Sequence, residues 1–377
     1  MPSIHDAIVV GASVSGSMAA RALASKGHSV ALVEEHEKTG KMGKCTAIVS
    51  KKGLDSLGVD YSRAKLNDVK GARIFSGKEE LAIKTSTVQA VVMNRFLFDD
   101  ACVSSAVDKG AELFTGLKLT SIKQNGAVES TCVNTISNGS CCTTTQSTQG
   151  GKTFSSKALI GADGVWSGVA SAGNFPKIPM SQHVVAFERE VSGVTCEKDA
   201  AYVILEKEFT DFFAWVVPCS ESVARIGFAT RNFHGFNKAK EALLKHPAIG
   251  ELAKGKTERE FSHLIPLKAR KQTQKQNILL VGDAAGQVKS TTGGGIVYGG
   301  NCAKIAGAET AKFLEGGSLG YEKAWRMEYG NYLRMHSIAR SFLNTFGGPS
   351  FLKAFRLLGG RAMLENFGDM DYFIKKK

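Results

Sequence analysis

No stretch of this chain approaches the roughly 20 consecutive apolar residues that a membrane-spanning helix needs. A bilayer-spanning helix is therefore not expected, although 43% of the 377 residues are hydrophobic. Nor is a secretory leader expected, because the chain runs almost at once into a strand. There are eight cysteines, none spaced as a Cys-x-x-Cys pair, which argues against a zinc or iron–sulfur site. Their scatter from Cys45 to Cys302 fits a reducing cytosol better than a disulfide scaffold. No long-period repeat is present. Also missing is a basic stripe interleaved with aromatics, so nucleic acid is not an expected partner. What the chain has in excess is positive charge, +13 net. That excess favours a phosphorylated small substrate or an anionic lipid surface, although simple solubility would account for it as well. The length exceeds one simple core and implies two or three units, which can be interleaved.

The N-terminus carries the first chemical signal. Asp6 to Val10 reads D-A-I-V-V, a run suited to a buried strand. Gly11-Ala12-Ser13-Val14-Ser15-Gly16 follows, then a helix-prone stretch from Ser17 to Lys26, then a second apolar run from Ser29 to Val33 that ends in Glu34. A strand, glycine-rich turn, helix and strand in this order hold a dinucleotide. Gly11 permits the tight turn, Gly16 lets helix and strand pack closely, and N–H groups at the helix start face a pyrophosphate. Glu34 stands 18 residues after Gly16, a spacing that suits hydrogen bonds to a ribose. Ser13 replaces the usual middle glycine, and its hydroxyl is a candidate donor to a phosphate oxygen.

Further along, Asn94 to Gly110 reads as an amphipathic helix carrying Phe96, Leu97, Ala101, Val103 and Val107. Gln124 to Ser156 is polar and reads as a meander at a sheet edge or as loops. Between Gln182 and Arg231, strand-like runs gather aromatics, among them Phe187, Tyr202, Phe209, Phe213, Trp215 and Phe228. These suggest an antiparallel sheet and a candidate apolar tunnel. Ile278 to Val281 is a strand entering Gly282-Asp283-Ala284-Ala285-Gly286, and a helix starts near Gly295. The chain from Tyr321 is mostly helical, broken at Gly347-Gly348-Pro349 and Gly359-Gly360; the stretch around Phe342 to Leu358 could pack on the body or lie at a membrane interface. The expected fold class is α/β. A Rossmann-type nucleotide domain (1–70, 94–175, 271–320) is interleaved with an antiparallel-sheet substrate domain (71–93, 176–270), and a helical C-terminal region (321–377) follows.

Four stretches decide which dinucleotide. The N-terminal turn, N-R-F-L-F-D (Asn94 to Asp99), A-L-I-G-A-D-G-V-W-S (Ala158 to Ser167) and L-L-V-G-D-A-A-G (Leu279 to Gly286) resemble the flavoprotein superfamily that includes para-hydroxybenzoate hydroxylase. The resemblance implies FAD, a cofactor long enough that the chain must return to it several times. It implies that Gly11, Ser13, Ser15 and Gly16 cradle the pyrophosphate and that Glu34 holds the ribose. Arg95 takes the place of an arginine serving FAD, Asp163 and Asp283 of acids that follow strands, and Leu119 of a backbone contact to adenine. Gly294, Gly295 and Ile296 would approach the ring edge, where a helix start stabilises negative charge.

A narrower resemblance is to the geranylgeranyl reductase branch, particularly the archaeal enzymes that saturate isoprenoid chains of ether lipids. It rests on Gly43-Lys44-Cys45, on Phe213-Ala214-Trp215-Val216-Val217-Pro218 with Gly227 beyond, and on the run from Gly282 to Ile296. Phe213 and Val217 stand where that branch has Tyr and Phe, and Ser290 where it has proline. The resemblance implies reduction of C=C bonds in geranylgeranyl chains of a prenyl lipid or prenyl diphosphate, with hydride from reduced flavin and a proton from an acid. It places Cys45 and Thr46 beside the flavin, and Phe213, Trp215 and Pro218 beside the substrate. Cys45 is the catalytic candidate and Tyr298 an alternative proton donor, while Lys268, Arg270 and Lys271 are candidate phosphate contacts. The implied electron donor is ferredoxin, a deazaflavin or NAD(P)H. The implied location is the cytoplasm, with the membrane face as a peripheral seat. An FAD-dependent aromatic monooxygenase and a non-enzymatic basic module are the competing readings.

Overall fold

A computed structural model describes residues 2–40, 43–125, 127–134, 152–209, 211–357 and 371. Its organising layer is a six-stranded sheet whose spatial order is Gln274–Lys275, Ile278–Leu280, Ala158–Gly161, Ala7–Val10, Val30–Val33 and Ala111–Phe114. All neighbours are parallel except the Gln274–Lys275 edge. Ala7–Val10 and Val30–Val33 are buried at every position. Parallel strands covered on both faces have no solvent side, which is why both read as unbroken apolar runs. The register aligns Val10, Val33, Gly161 and Leu280. Four strand ends therefore open onto one edge, the place where open α/β sheets bind ligands.

The helix Val14–Ala24 returns over this sheet and buries Met18, Ala19, Ala20 and Leu23. It meets the helix Ile296–Leu314 at near-backbone distance, since a Cβ on Gly307 would lie 2.7 Å from the Ala19 carbonyl oxygen. The helix Arg95–Val107 is capped by Asn94, whose side chain accepts from the N–H groups of Phe96 and Leu97. Its apolar stripe is not the expected one. Phe98, Cys102, Val103 and Ala106 are buried, whereas Phe96, Leu97 and Val107 are each about 40% exposed. Positions 98, 102 and 106 recur every fourth residue, so they share the face that meets the core.

A seven-stranded sheet forms the second layer, in the order Lys256–Pro266, His183–Ser192, Val223–Thr230, Ala214–Pro218, Ala200–Ile204, Gly71–Ser76 and Glu79–Lys84. Its two faces divide the aromatics. Phe187, Phe209 and Phe228 pack with Ala239 and Leu243 of the helix Phe236–Lys245, in an ordinary outer core. Phe212, Phe213 and Trp215 lie on the other face with Ala186, Ala229 and Leu267. The candidate tunnel is thereby reduced to the second group. A three-stranded sheet of Ile48–Ser50, Ala90–Met93 and Lys65–Val69 sits between the layers. Val91 and Met93 join the nucleotide-domain core, while Ala90 and Val92 join the inner face of the large sheet.

The polar stretch contributes Ala127–Asn134 and Lys152–Ser156 to a four-stranded sheet with Leu117–Asn125 and Ser3–Ile4; residues 135–151 lie outside the described residues. At the C-terminus, Asn331–Leu357 is broken at Gly347 (φ 72°, ψ 168°), as expected, and Gly359-Gly360 lie outside the described residues. One side of this helix packs on the body, where Arg340 donates to the Ser290 carbonyl and the His336 ring bonds the Thr291 hydroxyl. The other side exposes Ile338, Phe342 and Phe346. Among the described residues, no helix is long and apolar enough to cross a membrane.

Candidate active site

The site forms along the aligned strand ends. Gly11 has φ +100°, and a Cβ there would lie 2.4 Å from the Ala162 carbonyl oxygen. A Cβ on Gly16 would lie 1.7 Å from the Gly11 oxygen. Only glycine fits either place, and the turn they make aims the start of the helix Val14–Ala24 at the opening. Beside it, the Ser15 hydroxyl is flanked by Gly282 and Gly299, where added Cβ atoms would lie 2.5 and 2.7 Å from its oxygen. Three separate segments thus meet at this one side chain.

Glu34 accepts from the Ala12 N–H at 2.9 Å and from the His36 N–H and Nδ1 at 3.0 and 2.5 Å. Burial opposes its charge, but the His36 and Ala12 donors hold its pKa below the ordinary value. Glu34 is therefore a fixed carboxylate, and its Oε2 retains a lone pair for a hydroxyl. Leu119 stands nearby, because Leu117 donates to the Glu34 carbonyl where its strand begins. Asp283 lies at the opposite end of the edge. Its carboxylate is reached by solvent, yet surrounding protein displaces enough water to raise its pKa. A Cβ on Gly295 would lie 3.0 Å from the Asp283 Oδ1, which puts the start of Ile296–Leu314, with Gly294, against this acid.

Two expected cofactor contacts are engaged elsewhere. The Ser13 hydroxyl donates to Asp99 Oδ2 and accepts from Arg95 Nη2, both at 3.1 Å, instead of presenting its proton to a phosphate. Arg95 also binds Asp99 at 2.8 Å. Burial works against the Arg95 charge, but Asp99 and Cys45 hold its pKa above the usual arginine value. Asp163 caps its own loop, with Oδ1 accepting from the Ser167 hydroxyl at 2.6 Å and Oδ2 from the Val169 N–H at 2.9 Å. It shapes the loop against Gly11 without turning its carboxylate to the opening.

On the substrate side, a Cβ on Gly293 would lie 3.3 Å from Phe212 and 3.1 Å from Ile265. The inner face of the large sheet thus abuts the glycine loop. Phe213 stacks on Phe212 with centroids 4.5 Å apart and meets Trp215 edge-on at 5.9 Å. Pro218 ends that strand, buried, with its carbonyl accepting from Asn67. The Cys45 sulfur accepts from the Ala47 N–H at 3.3 Å, and the Thr46 hydroxyl donates to Glu188. Glu188 was not among the expected residues, although an acid mid-strand in a largely apolar run is a visible signal.

Two further expectations are corrected. Tyr298 is fully buried and donates its hydroxyl to the Asp371 carbonyl, so its proton is committed there. Arg270 spends its guanidinium on the carbonyls of Ala284 and Pro176.

His263, on the same inner sheet face, has its pKa pushed down to about 4 by burial, with Lys44 and Arg95 adding to it. The native state refuses a proton that the unfolded chain accepts near 6.5. Its contribution is therefore complete above that pH and is lost as pH falls toward 4, by roughly 2–3 kcal/mol. His263→Phe should gain on the wild type by that amount between neutral and acid pH in urea unfolding. A constant difference across pH would refute the assignment.

The cradle at Gly11 and Gly16, the fixed carboxylate of Glu34, the cation at Arg95 and the second acid before a glycine-rich helix start fit one elongated ligand with two phosphates at its middle. They define a flavin-dependent oxidoreductase, and its cofactor is FAD. A family model described as an FAD binding domain matches residues 5–316, and the chain belongs to that family. It is 26% identical to an uncharacterized protein of Methanocaldococcus jannaschii, over 97% of this chain and 92% of that one. It is also similar to digeranylgeranylglycerophospholipid reductases of Methanothrix thermoacetophila (26% identity, 89% and 87% covered) and Methanosarcina acetivorans (28%, 91% and 86%). The fold is shared with a geranylgeranyl bacteriochlorophyll reductase-like protein from Thermoplasma acidophilum, at TM-score 0.79 and 23% identity over 91% of this chain and 88% of that one. It is equally shared with a flavin-dependent brominase, at TM-score 0.79 and 16% identity over 98% and 94%.

Proposed function

We propose that this oxidoreductase saturates C=C bonds in the geranylgeranyl chains of a prenyl lipid. The observation that carries this reading is the apolar wall of Phe212, Phe213 and Trp215, set directly against the glycine loop where the flavin ring would lie. The similarity to the two named lipid reductases supports it. In this reading Glu34 receives ribose hydroxyls, Asp283 the ribityl chain, and the N-terminal turn with Arg95 the pyrophosphate. Bound and reduced, FAD supplies the hydride. The aromatic wall excludes water and holds the chain edge-on, and orientation matters because an isolated alkene is a poor hydride acceptor. The Cys45–Thr46 loop joins the same wall, since the Thr46 hydroxyl and Trp215 Nε1 both donate to Glu188.

The lipid substrate also gives a use for the exposed Ile338, Phe342 and Phe346, on a chain of net charge +13. That face would rest on an anionic bilayer while the cleft draws in a chain. Vesicle sedimentation should show salt-sensitive binding to anionic but not neutral lipid; protein left in the supernatant with both would remove the membrane seat. The central test is anaerobic. The chemically reduced holoenzyme is mixed with an unsaturated digeranylgeranyl ether phospholipid. Flavin oxidation with two hydrogens gained per double bond is expected. Oxygen insertion into an aromatic compound, with no gain of hydrogen by any prenyl lipid, would favour the monooxygenase instead.

A further inference from the structure

Glu188 lies mid-strand in His183–Ser192, opposite Gly227 on one side and Phe261 on the other, and is 1% exposed. An acid so placed needs partners for both oxygens or must give up its charge. Its Oε2 accepts from the Thr46 hydroxyl and from Trp215 Nε1, the latter at 3.2 Å. Its Oε1 is buried with no hydrogen-bond partner. The nearby cations are occupied. Arg225 binds Glu190 at 2.7 Å and the carbonyls of Thr46 and Met93, and Arg259 donates to the Gly43 carbonyl. A carboxylate here would bury a bare negative oxygen, whereas a neutral acid would place a hydroxyl there. Burial raises the Glu188 pKa, against the pull of Arg225.

We propose that Glu188 is the proton reservoir of this site and acts through Thr46, an assignment that rests on the reductase reading above. A half-turn of the carboxyl about its soft terminal torsion exchanges Oε1 and Oε2 and points the acid hydroxyl at Thr46 Oγ1. The Thr46 proton is then free for the cleft: Thr46 is half-buried and shares the Glu188 Oε2 with Trp215 of the inner sheet face. The step balances. One alkene carbon takes the hydride with its electron pair from the reduced cofactor. The π pair of the broken double bond takes the Thr46 proton at the other carbon. Thr46 takes the Glu188 proton, and the carboxylate left behind is recharged from solvent after product leaves. Trp215 serves twice, as substrate wall and as a donor that tolerates the transient carboxylate. The groups that set this titration, besides burial, are Arg225 from a neighbouring strand and Arg259 from the flanking strand, with Glu190 beside Arg225 and the Cys219 thiol just past Ala214–Pro218 facing the same group of charges.

The test uses FAD-loaded, chemically reduced protein and an unsaturated digeranylgeranyl ether phospholipid in anaerobic stopped flow. Glu188→Gln and Thr46→Val should each slow flavin oxidation by about 100-fold or more, and Thr46→Ser should recover most of what Thr46→Val loses. The wild-type rate should fall on the alkaline side as Glu188 ionises, and Glu188→Gln should lack that limb. A Glu188→Gln rate near wild type, an alkaline limb that persists, or equal rates for Thr46→Val and Thr46→Ser would overturn the proposal. A second measurement needs no turnover. Infrared difference spectra of the FAD-free protein, wild type minus Glu188→Gln at neutral pH, should contain a neutral-carboxyl band, and its absence also overturns the proposal. If wild type reduces no prenyl lipid while the band is present, the substrate reading fails and the protonated Glu188 stands.

Discussion

Gly16→Val is expected to yield protein without FAD. The clash is between backbone and Cβ, 1.7 Å from the Gly11 oxygen, so no rotamer relieves it. The Ala162 Cβ lies 3.3 Å away on the other side, which blocks the simplest escape. The turn must open, and the N–H groups that converge on the pyrophosphate then diverge. Their action depends on convergence, because each contributes little alone. Gly27→Ala is the matched control. Gly27 lies just past the end of the helix whose first turn holds Gly16, with φ +83°, but a Cβ there meets nothing within 4 Å. It should cost about 1–2 kcal/mol of backbone strain and keep its flavin. The ratio of flavin to protein absorbance after purification separates the two, with circular dichroism confirming that both fold. A fully yellow Gly16→Val would mean that the turn does not hold the cofactor.

The same turn explains how much of the site was legible in the sequence. Strand, turn and helix follow from local chemistry: buried parallel strands must be apolar, and a turn under a pyrophosphate must be glycine-rich. The placement of Glu34 and Asp283 on this edge followed from sequence, because Glu34 comes directly after Val30–Val33 and Asp283 three residues after Ile278–Leu280, at strand ends that the sheet aligns. Ser13 and Asp163 have protein partners that the glycine motif does not announce. Asp99 and Arg95 come to Ser13 from a helix more than 80 residues away in sequence, and Ser167 and Val169 reach Asp163 through the turn of its own loop. Glu188 went unnoticed because its meaning comes from residues brought to it by three other strands and a loop. The aromatics were visible as a cluster, but alternation along the strands sends Phe187 and Phe228 outward and Trp215 inward. The side that faces the glycine loop follows from Gly293, whose added Cβ would meet Phe212 and Ile265 on the Trp215 face.

Arg95→Ala should destabilise the nucleotide domain by about 3–5 kcal/mol, because it leaves the Asp99 carboxylate buried with only the Ser13 hydroxyl. Replacing both partners tests that cause. Arg95→Met with Asp99→Leu removes the charge along with its counter-ion, so most of the lost stability should return. FAD affinity should not return with it, since the cation beside the pyrophosphate turn is still absent and Ser13 has lost both of its anchors. The two readouts therefore move apart: urea midpoints recover in the double variant, while FAD titrated into either variant binds weakly. If the double variant regains both stability and tight FAD binding, Arg95 is merely a structural partner of Asp99. If it regains neither, the pair holds the helix Arg95–Val107 to the turn in a way that apolar packing cannot replace.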